Sequence, residues 1–407
     1  MKGAHAMSGS RAVSSVYGPI QELAIAMKGE IDPEIVAHHY SKFLQSFSHR
    51  TEVVVLGKFS GDFLESLPNP YNRSIRKVIG GHNVLMVDAL QYKVNAQVNT
   101  RWIEDPFIVL EMLDDRVALL EPFDSRQMQV AGQLSNAYGA FIKSTDLKLE
   151  GGNMLVGDDY VLIGKDQLVA NLELVGVDSA HSYSVLKQNL EDRLRDLLGI
   201  KRIIWVGNYT CLRNMLALPG PNFSWQPLFH LDMFLTLGGR SSAQDYQGDE
   251  MIFVAELKLE PKDLESYVQG DLGEEGEDGR WKPLRLFKDR LDEVARFFED
   301  HHHHDPGPRF HVERFPIRVK LCQNRPTVIH SFNNCLVEWY DGFRRIYLPQ
   351  YDVVGNCEGK SSLQCWTESL LSDLGYRVTW VDGSFSAYAK DNGALNCMAK
   401  VLKRGRA

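Results

Sequence analysis

The feature that most constrains the fold is a unit that recurs along the chain: two short strands joined by a tight polar turn, with an amphipathic helix and a further strand between one such pair and the next. Strand-like residues 107–110 and 117–120 flank Asp114-Asp115, 154–156 and 160–163 flank Gly157-Asp158-Asp159, and 335–337 and 345–348 flank Asp341-Gly342. Another run, 234–237, breaks at Gly238-Gly239 and resumes at 251–254 after a polar insertion, and a fifth turn is expected at Asp391-Asn392-Gly393. Short apolar runs on either side of such turns are hairpin signatures. Leu186, Leu190, Leu194 and Leu197 share one helical face before the strand-like residues 202–206, and Leu284, Phe287, Leu291, Val294 and Phe298 share another. A last helix aligns Leu363, Trp366, Leu370 and Leu374, with Gly375 placed to stop it in a left-handed cap before residues 376–380 continue as strand. Residues 52–56 and 83–87 read as buried strands, and Asp32-Pro33 as the start of a helix running toward Phe47. The unit is too long for a solenoid repeat and suits α/β blades arranged about an axis.

The 407 residues, 44% hydrophobic and 24% charged, can bury a large core. Residues 1–30 read as a partly disordered N-terminal extension, and 31–407 as a single domain with insertions near 240–250, 260–282 and 299–310. The acidic, glycine-rich segment 270–279 reads as a solvated loop. The four consecutive histidines His301 to His304 also read as loop, since consecutive side chains converge poorly on a metal. A formal net charge of −8 argues against nucleic acid as a partner. No run of about 18 apolar residues suggests a membrane span. Six scattered cysteines without a CxxC pair indicate neither a disulfide framework nor a zinc site, which favours a reducing cytoplasm.

One cysteine stands apart. Cys397 closely follows Gly393, and a glycine-containing turn can hold a thiol at the mouth of a cleft. Free cysteine is often merely buried, but three other stretches beside strand-like runs carry imidazole or carboxylate: Trp102-Ile103-Glu104-Asp105-Pro106, Glu150-Gly151-Gly152-Asn153 and His230-Leu231-Asp232. Carboxylates repel a thiolate unless a cation lies between them. A guanidinium is such a cation: its planar donor fork suits paired carboxylates, and its central carbon is electrophilic. Histidine would then shuttle protons, first to a departing amine and then from an incoming nucleophile.

At these residues the sequence resembles the pentein superfamily of guanidine-modifying enzymes, which includes arginine deiminases, agmatine deiminases and amidinotransferases. Asn99-Thr100-Arg101-Trp102-Ile103-Glu104-Asp105-Pro106 is similar to the deiminase N-T-x-x-x-R-D-P segment, and Glu150-Gly151-Gly152-Asn153 to its E-G-G-D. His230-Leu231-Asp232-Met233-Phe234-Leu235-Thr236 is similar to H-L-D-T-V-x-T, and Cys397-Met398 after Gly393 to G-x-x-C-M. The motifs stand in the family's order. The resemblance implies a five-bladed ββαβ α/β-propeller with pseudo-fivefold symmetry. It also implies Cys397 as nucleophile, His230 as general acid and base, Glu150 as the carboxylate orienting that histidine, and Asp105 and Asp232 as grips on the guanidinium. Asn99, Glu104, Arg126 and Asn153 become candidate substrate-binding residues.

Departures from the family bear on the substrate. Glu104 stands where free-arginine deiminases have arginine, and Leu168 and Asn392 align with arginines that hold an α-carboxylate, leaving Arg126 as the candidate survivor. Free arginine is thereby expected to be a poor substrate and an uncharged, aminated or peptide-borne tail to be favoured, the acid at Glu104 arguing for a neutral or cationic one. The expected activity is deiminase-type hydrolysis without metal or organic cofactor. Amidino transfer at the same site and a non-catalytic binding protein on the same fold are the alternatives. A papain-like arrangement fits badly, because the cysteine follows the histidine and lies near the C-terminus.

Overall fold

Asp341 and Gly342 both adopt positive φ, 47° and 75°, giving the two-residue turn that matches strand twist between Leu336–Tyr340 and Phe343–Pro349. Asp115 does likewise, with φ 61°, between Ile108–Met112 and Val117–Glu121. The structure, a computed structural model, describes residues 9–27, 43, 46–47, 51–57, 84–88, 102–126, 130–175, 180–207, 226–241, 249–258, 284–301, 307–322, 325–351, 362–382, 385–389 and 393–406.

These residues form a mixed α/β structure with five small sheets of three or four strands. In the first sheet the antiparallel pair Ile108–Met112 and Val117–Glu121 is followed by helix Val130–Tyr138 and the parallel strand Phe141–Ser144. The second joins Met154–Val156, Tyr160–Gly164 and, after helices Lys165–Val175 and Ala180–Leu198, the parallel strand Arg202–Val206. The third pairs Leu235–Arg240 with Glu250–Lys258, which in turn pairs in parallel, after helix Leu284–Asp300, with Phe310–Cys322, itself antiparallel to Arg325–Ser331. The fourth pairs its hairpin, after helix Ser362–Asp373, with Arg377–Val381. Gly375, with φ 79°, ends that helix as expected.

The fifth sheet departs from expectation. Asp391 and Asn392 of the turn expected there lie outside the described residues, and the residues around Cys397, Leu395–Met398, form a short helical turn. The final strand Ala399–Arg404 finds its antiparallel partner in Ile20–Met27, at the other end of the chain. Glu52–Gly57 and Val84–Asp88 complete that sheet in parallel. Residues 9–27 are accordingly built into the fold and not an extension, with Ser10–Ala12 also adding an edge strand to the first sheet. The pattern Ile20, Leu23, Ala24, Ile25, Ala26 is buried, and such a run signals a strand covered on both faces. The helix expected from Asp32 and the acidic loop 270–279 lie outside the described residues.

The N-terminal segment also ties sheets together. Ser14 and Ser15 bond to Val156 of the second sheet, Tyr17 to Glu250 of the third, and Gly18 N donates to Trp339 O of the fourth. Buried Arg404 donates to the carbonyls of Ser15, Val16 and Gly18 at 2.8, 3.2 and 2.7 Å. Arg404→Met should therefore remove three bonds, leave the carbonyls of Ser15 and Gly18 without a donor while Val16 O keeps Trp339 N, and lower stability by about 2–4 kcal/mol, measured as the denaturation midpoint. An unchanged midpoint would show that water replaces the guanidinium there.

A cavity of about 60 Å³ is lined by Val109, Leu155, Thr236, Val337 and Val401, one from the first-formed strand of each sheet's antiparallel pair except the fifth, where it comes from the last strand of the chain. No helix among the described residues is long and apolar enough to cross a membrane.

Candidate active site

Each sheet delivers polar side chains at the entry to the strand that lines this cavity. Asp105 precedes Ile108–Met112, and Glu150 precedes the 3₁₀ turn Gly151–Asn153 that enters Met154–Val156. His230 and Asp232 flank the start of the 3₁₀ turn Leu231–Met233 before Leu235–Arg240. Asn334 precedes Leu336–Tyr340, and Cys397 sits in the helical turn before Ala399–Arg404. Residues from 105 to 397 thus gather at one end of the five sheets.

Two linked groups result. In the first, His230 Nε2 lies 3.0 Å from Glu150 Oε2, and Nδ1 lies 3.6 Å from Asp105 Oδ1. Asp105 Oδ1 also accepts from Gly152 N at 3.2 Å. In the second, Asp232 Oδ2 accepts from Asn334 Nδ2 and Asn396 Nδ2, both at 2.9 Å, and lies 3.6 Å from Cys397 Sγ. Asn334 Nδ2 is 3.1 Å from that sulfur, and Asn334 Oδ1 accepts from Cys397 N at 3.3 Å. The two asparagines were not expected from the motifs. The glycines of Glu150-Gly151-Gly152-Asn153 are required by close approach: a Cβ on Gly151 would sit 1.9 Å from Glu104 O, and one on Gly152 2.7 Å from His230 Nδ1.

Burial alone would lower the His230 pKa, but Asp105 and the hydrogen bond to Glu150 outweigh it and hold the ring up at about 9. The imidazole is thereby charged at neutral pH and can donate a proton. Asp105 is pushed up to about 6 by burial, against the opposing pull of His230. The Cys397 thiol, 3% exposed, is driven well above its ordinary range by burial and then by Asp232 and Asp105. Two buried polar atoms of the cluster have no hydrogen-bond partner among the protein atoms, Asp232 Oδ1 and His230 Nδ1. Such orphans in a native site call for an explanation, and a catalytic role is one of those that supply it.

The four candidate substrate-binding residues fare differently. Glu104 is sequestered: Lys400 Nζ donates to its Oε1 at 2.7 Å and to its carbonyl at 3.1 Å, and Glu104 N donates to Cys397 O at 3.3 Å. It ties the Asp105 segment to the cysteine strand, and burial, opposed by Lys400, puts its pKa at about 7. Asn153 is buried, with Oδ1 accepting from Gln226 Nε2 at 2.7 Å. The same Nε2 reaches Phe229 O at 2.9 Å and braces the segment carrying His230. Arg126 donates to Thr145 O at 2.6 Å and lies over the Phe123 ring, with no described bond to the cluster. Asn99 lies outside the described residues, as does Asn392. Leu168, 1% exposed, packs in a core cluster with Ile163 and Leu172, so its identity reflects apolar packing and not a lost carboxylate ligand. Among the described residues no group of three or more His, Cys, Asp or Glu is arranged to hold a metal ion.

No family model matches the chain, and no curated protein matches it in sequence. Solved structures do match in fold. An agmatine deiminase from C. jejuni superposes with a TM-score of 0.58 at 16% identity, covering 98% of this chain and 97% of the other. A protein described as a peptidyl-arginine deiminase gives 0.59 at 17% identity, covering 98% of this chain and 100% of the other. One described as an arginine deiminase from Porphyromonas gingivalis gives 0.58 at 14%, covering 96% and 97%. The chain therefore has the pentein fold. At these identities the likeness carries the fold alone, and the chemistry must be argued from the side chains.

Proposed function

We propose that the chain is a cysteine-dependent hydrolase of guanidino compounds, its five sheets serving as five ββαβ blades about a pseudo-fivefold axis. The observation that carries this reading is the orphaned acceptor Asp232 Oδ1 in a buried cluster that also holds His230, Asp105 and a thiol. A guanidinium supplies N–H donors for Asp232 and Asp105, and its charge offsets theirs beside the sulfur. The deiminases that share the fold are named for guanidino substrates, which agrees with this reading.

The reaction then follows from the side chains. Cys397, ionised when the cation enters, forms a C–S bond to the guanidine carbon. The C–N bond breaks as His230 gives its proton to the departing nitrogen, which leaves as ammonia. Water attacks the remaining thiouronium carbon and yields its proton to His230. The C–S bond breaks as the remaining hydroxyl proton passes to solvent, restoring the thiolate and releasing a ureido product. Glu150, through its 3.0 Å contact, holds the ring in place for both transfers.

The side chains around the cluster favour a substrate without an α-carboxylate. Lys400, the cation bonded to Glu104, is committed to it, Arg126 is engaged at Thr145, and the ring beside His230 is Phe229, half-exposed at 4.6 Å. Glu104 itself no longer argues for a cationic tail, since Lys400 offsets its charge. The test is ammonia release from agmatine, an arginine ester, peptidyl-arginine and free arginine, with no amine acceptor present. The expected result is turnover of a guanidino compound, with kcat/KM for agmatine or the ester exceeding that for arginine by roughly tenfold or more, the value of one charge-assisted bond. Free arginine as the best substrate would refute the carboxylate argument. Amidino transfer to an added amine without hydrolysis would identify an amidinotransferase instead, and no reaction with any of these compounds a binding protein.

A further inference from the structure

Asp232 uses its two oxygens unequally. Oδ2 accepts from the amides of Asn334 and Asn396 at 2.9 Å each, which fills the roughly two lone-pair directions of one carboxylate oxygen. Oδ1 is buried with no protein partner. The two amides, with the Cys397 thiol a longer 3.6 Å from the same oxygen, fix the plane of the carboxylate and hence the direction in which the other oxygen points. Asn334 is already engaged with the thiol and with Cys397 N. Asn396, half-buried and one residue before the nucleophile, bonds through its side chain to Asp232, and the turn it belongs to is closed by backbone bonds from Met398 N to Ala394 O and from Ala399 N to Asn396 O. Its amide is therefore not needed to form the turn.

We propose that Asn396 is a positioning residue for substrate recognition: with Asn334 it holds Asp232 Oδ2, so that Oδ1 is presented, ionised and correctly aimed, to the N–H donors of a guanidinium. This role rests on the guanidine reading of the site. The ionisable groups that bear on Asp232 are His230, Asp105, Glu104 with its partner Lys400, and the thiols of Cys397 and Cys335. Burial pushes the Asp232 carboxyl up, while His230 and then the Asn396 amide pull it down, so loss of that amide moves its protonation to higher pH.

The test is calorimetric binding of agmatine, with an arginine ester as second probe, between pH 5.5 and 8.5. The proteins compared are Cys397→Ser and the same chain carrying Asn396→Leu or the isosteric Asn396→Asp. Asn396→Leu should bind roughly 10- to 100-fold more weakly at the acid end of this range, with part of the loss recovered toward its alkaline end as Asp232 ionises. Asn396→Asp places a second acid against Oδ2 and should move the acid limb further upward. A uniform loss without change of pH profile, or affinity equal to the Cys397→Ser parent throughout, would overturn the role. If Asn396→Leu does not fold, the limb in Asn396→Asp decides, and an unmoved limb counts against the proposal. A parent that binds neither probe would sink the guanidine reading and this role together, whereas a parent that binds and variants that match it would sink the role alone.

Discussion

Cys397→Ser should abolish turnover, by roughly three to six orders of magnitude, while the chain stays folded. Serine is nearly isosteric, so the buried turn Leu395–Met398 and its bond from Cys397 N to Asn334 Oδ1 survive. A hydroxyl in a pocket that already drives a thiol far above its ordinary range has almost no access to its anion. Cys335 cannot substitute: it lies buried 3.6 Å from Thr236 Oγ1, with burial pushing its thiol up to about 12. Ammonia release together with the mass of the adduct formed by a haloacetamidine provides the measurement. Near-normal activity in the variant, or labelling of a different cysteine, would show that the chemistry lies elsewhere.

Local signals in the sequence led to the parts of the fold that are made locally. Asp341-Gly342 needs only its own backbone to turn, and Gly375 needs no neighbour to cap a helix, so four hairpins and the capped helix are legible from composition and spacing. The fifth antiparallel pair is not. Its members, Ile20–Met27 and Ala399–Arg404, are separated by almost the whole chain, and no turn signal links them. An apolar run at the N-terminus was the available hint, and a polar start to the chain obscured it.

The site divides along the same line. Cys397, His230, Asp105, Asp232 and Glu150 stand in short motifs with chemistry of their own, and the structure brings them together. Asn334 belongs to no such motif, since its amides matter only once Asp232 and Cys397 are adjacent. The recurrence does carry a signal for it: each of the other four sheets has a motif residue at the entry to its cavity-lining strand, and the same place before Leu336–Tyr340 holds Asn334. Glu104 and Leu168 mislead for the converse reason. Aligning them with arginines assumes that side chain and cleft face each other, yet one is committed to Lys400 and the other points into the core.

The unliganded thiol should be slow toward neutral reagents and fast toward cationic ones. Burial raises the pKa of Cys397, and the charges of Asp232 and Asp105 raise it further, so at pH 7 the thiolate is scarce. An amidinium in the cleft pairs with those carboxylates and reverses their contribution. A larger thiolate population speeds alkylation in proportion, so chloroacetamidine should react roughly a hundredfold faster than its neutral amide counterpart at pH 7. With the neutral reagent, the rate should keep climbing with pH beyond the ordinary thiol range. Asp232→Asn carries an informative sign. It removes the second-largest contribution holding the thiol up, so it should speed alkylation by the neutral amide while erasing much of the amidine's advantage. A rate with the neutral reagent that is already at its plateau at pH 7 would mean the sulfur is ionised before any cation arrives. His230 would then be its counter-ion, and recognition of the guanidinium would no longer be what activates the nucleophile.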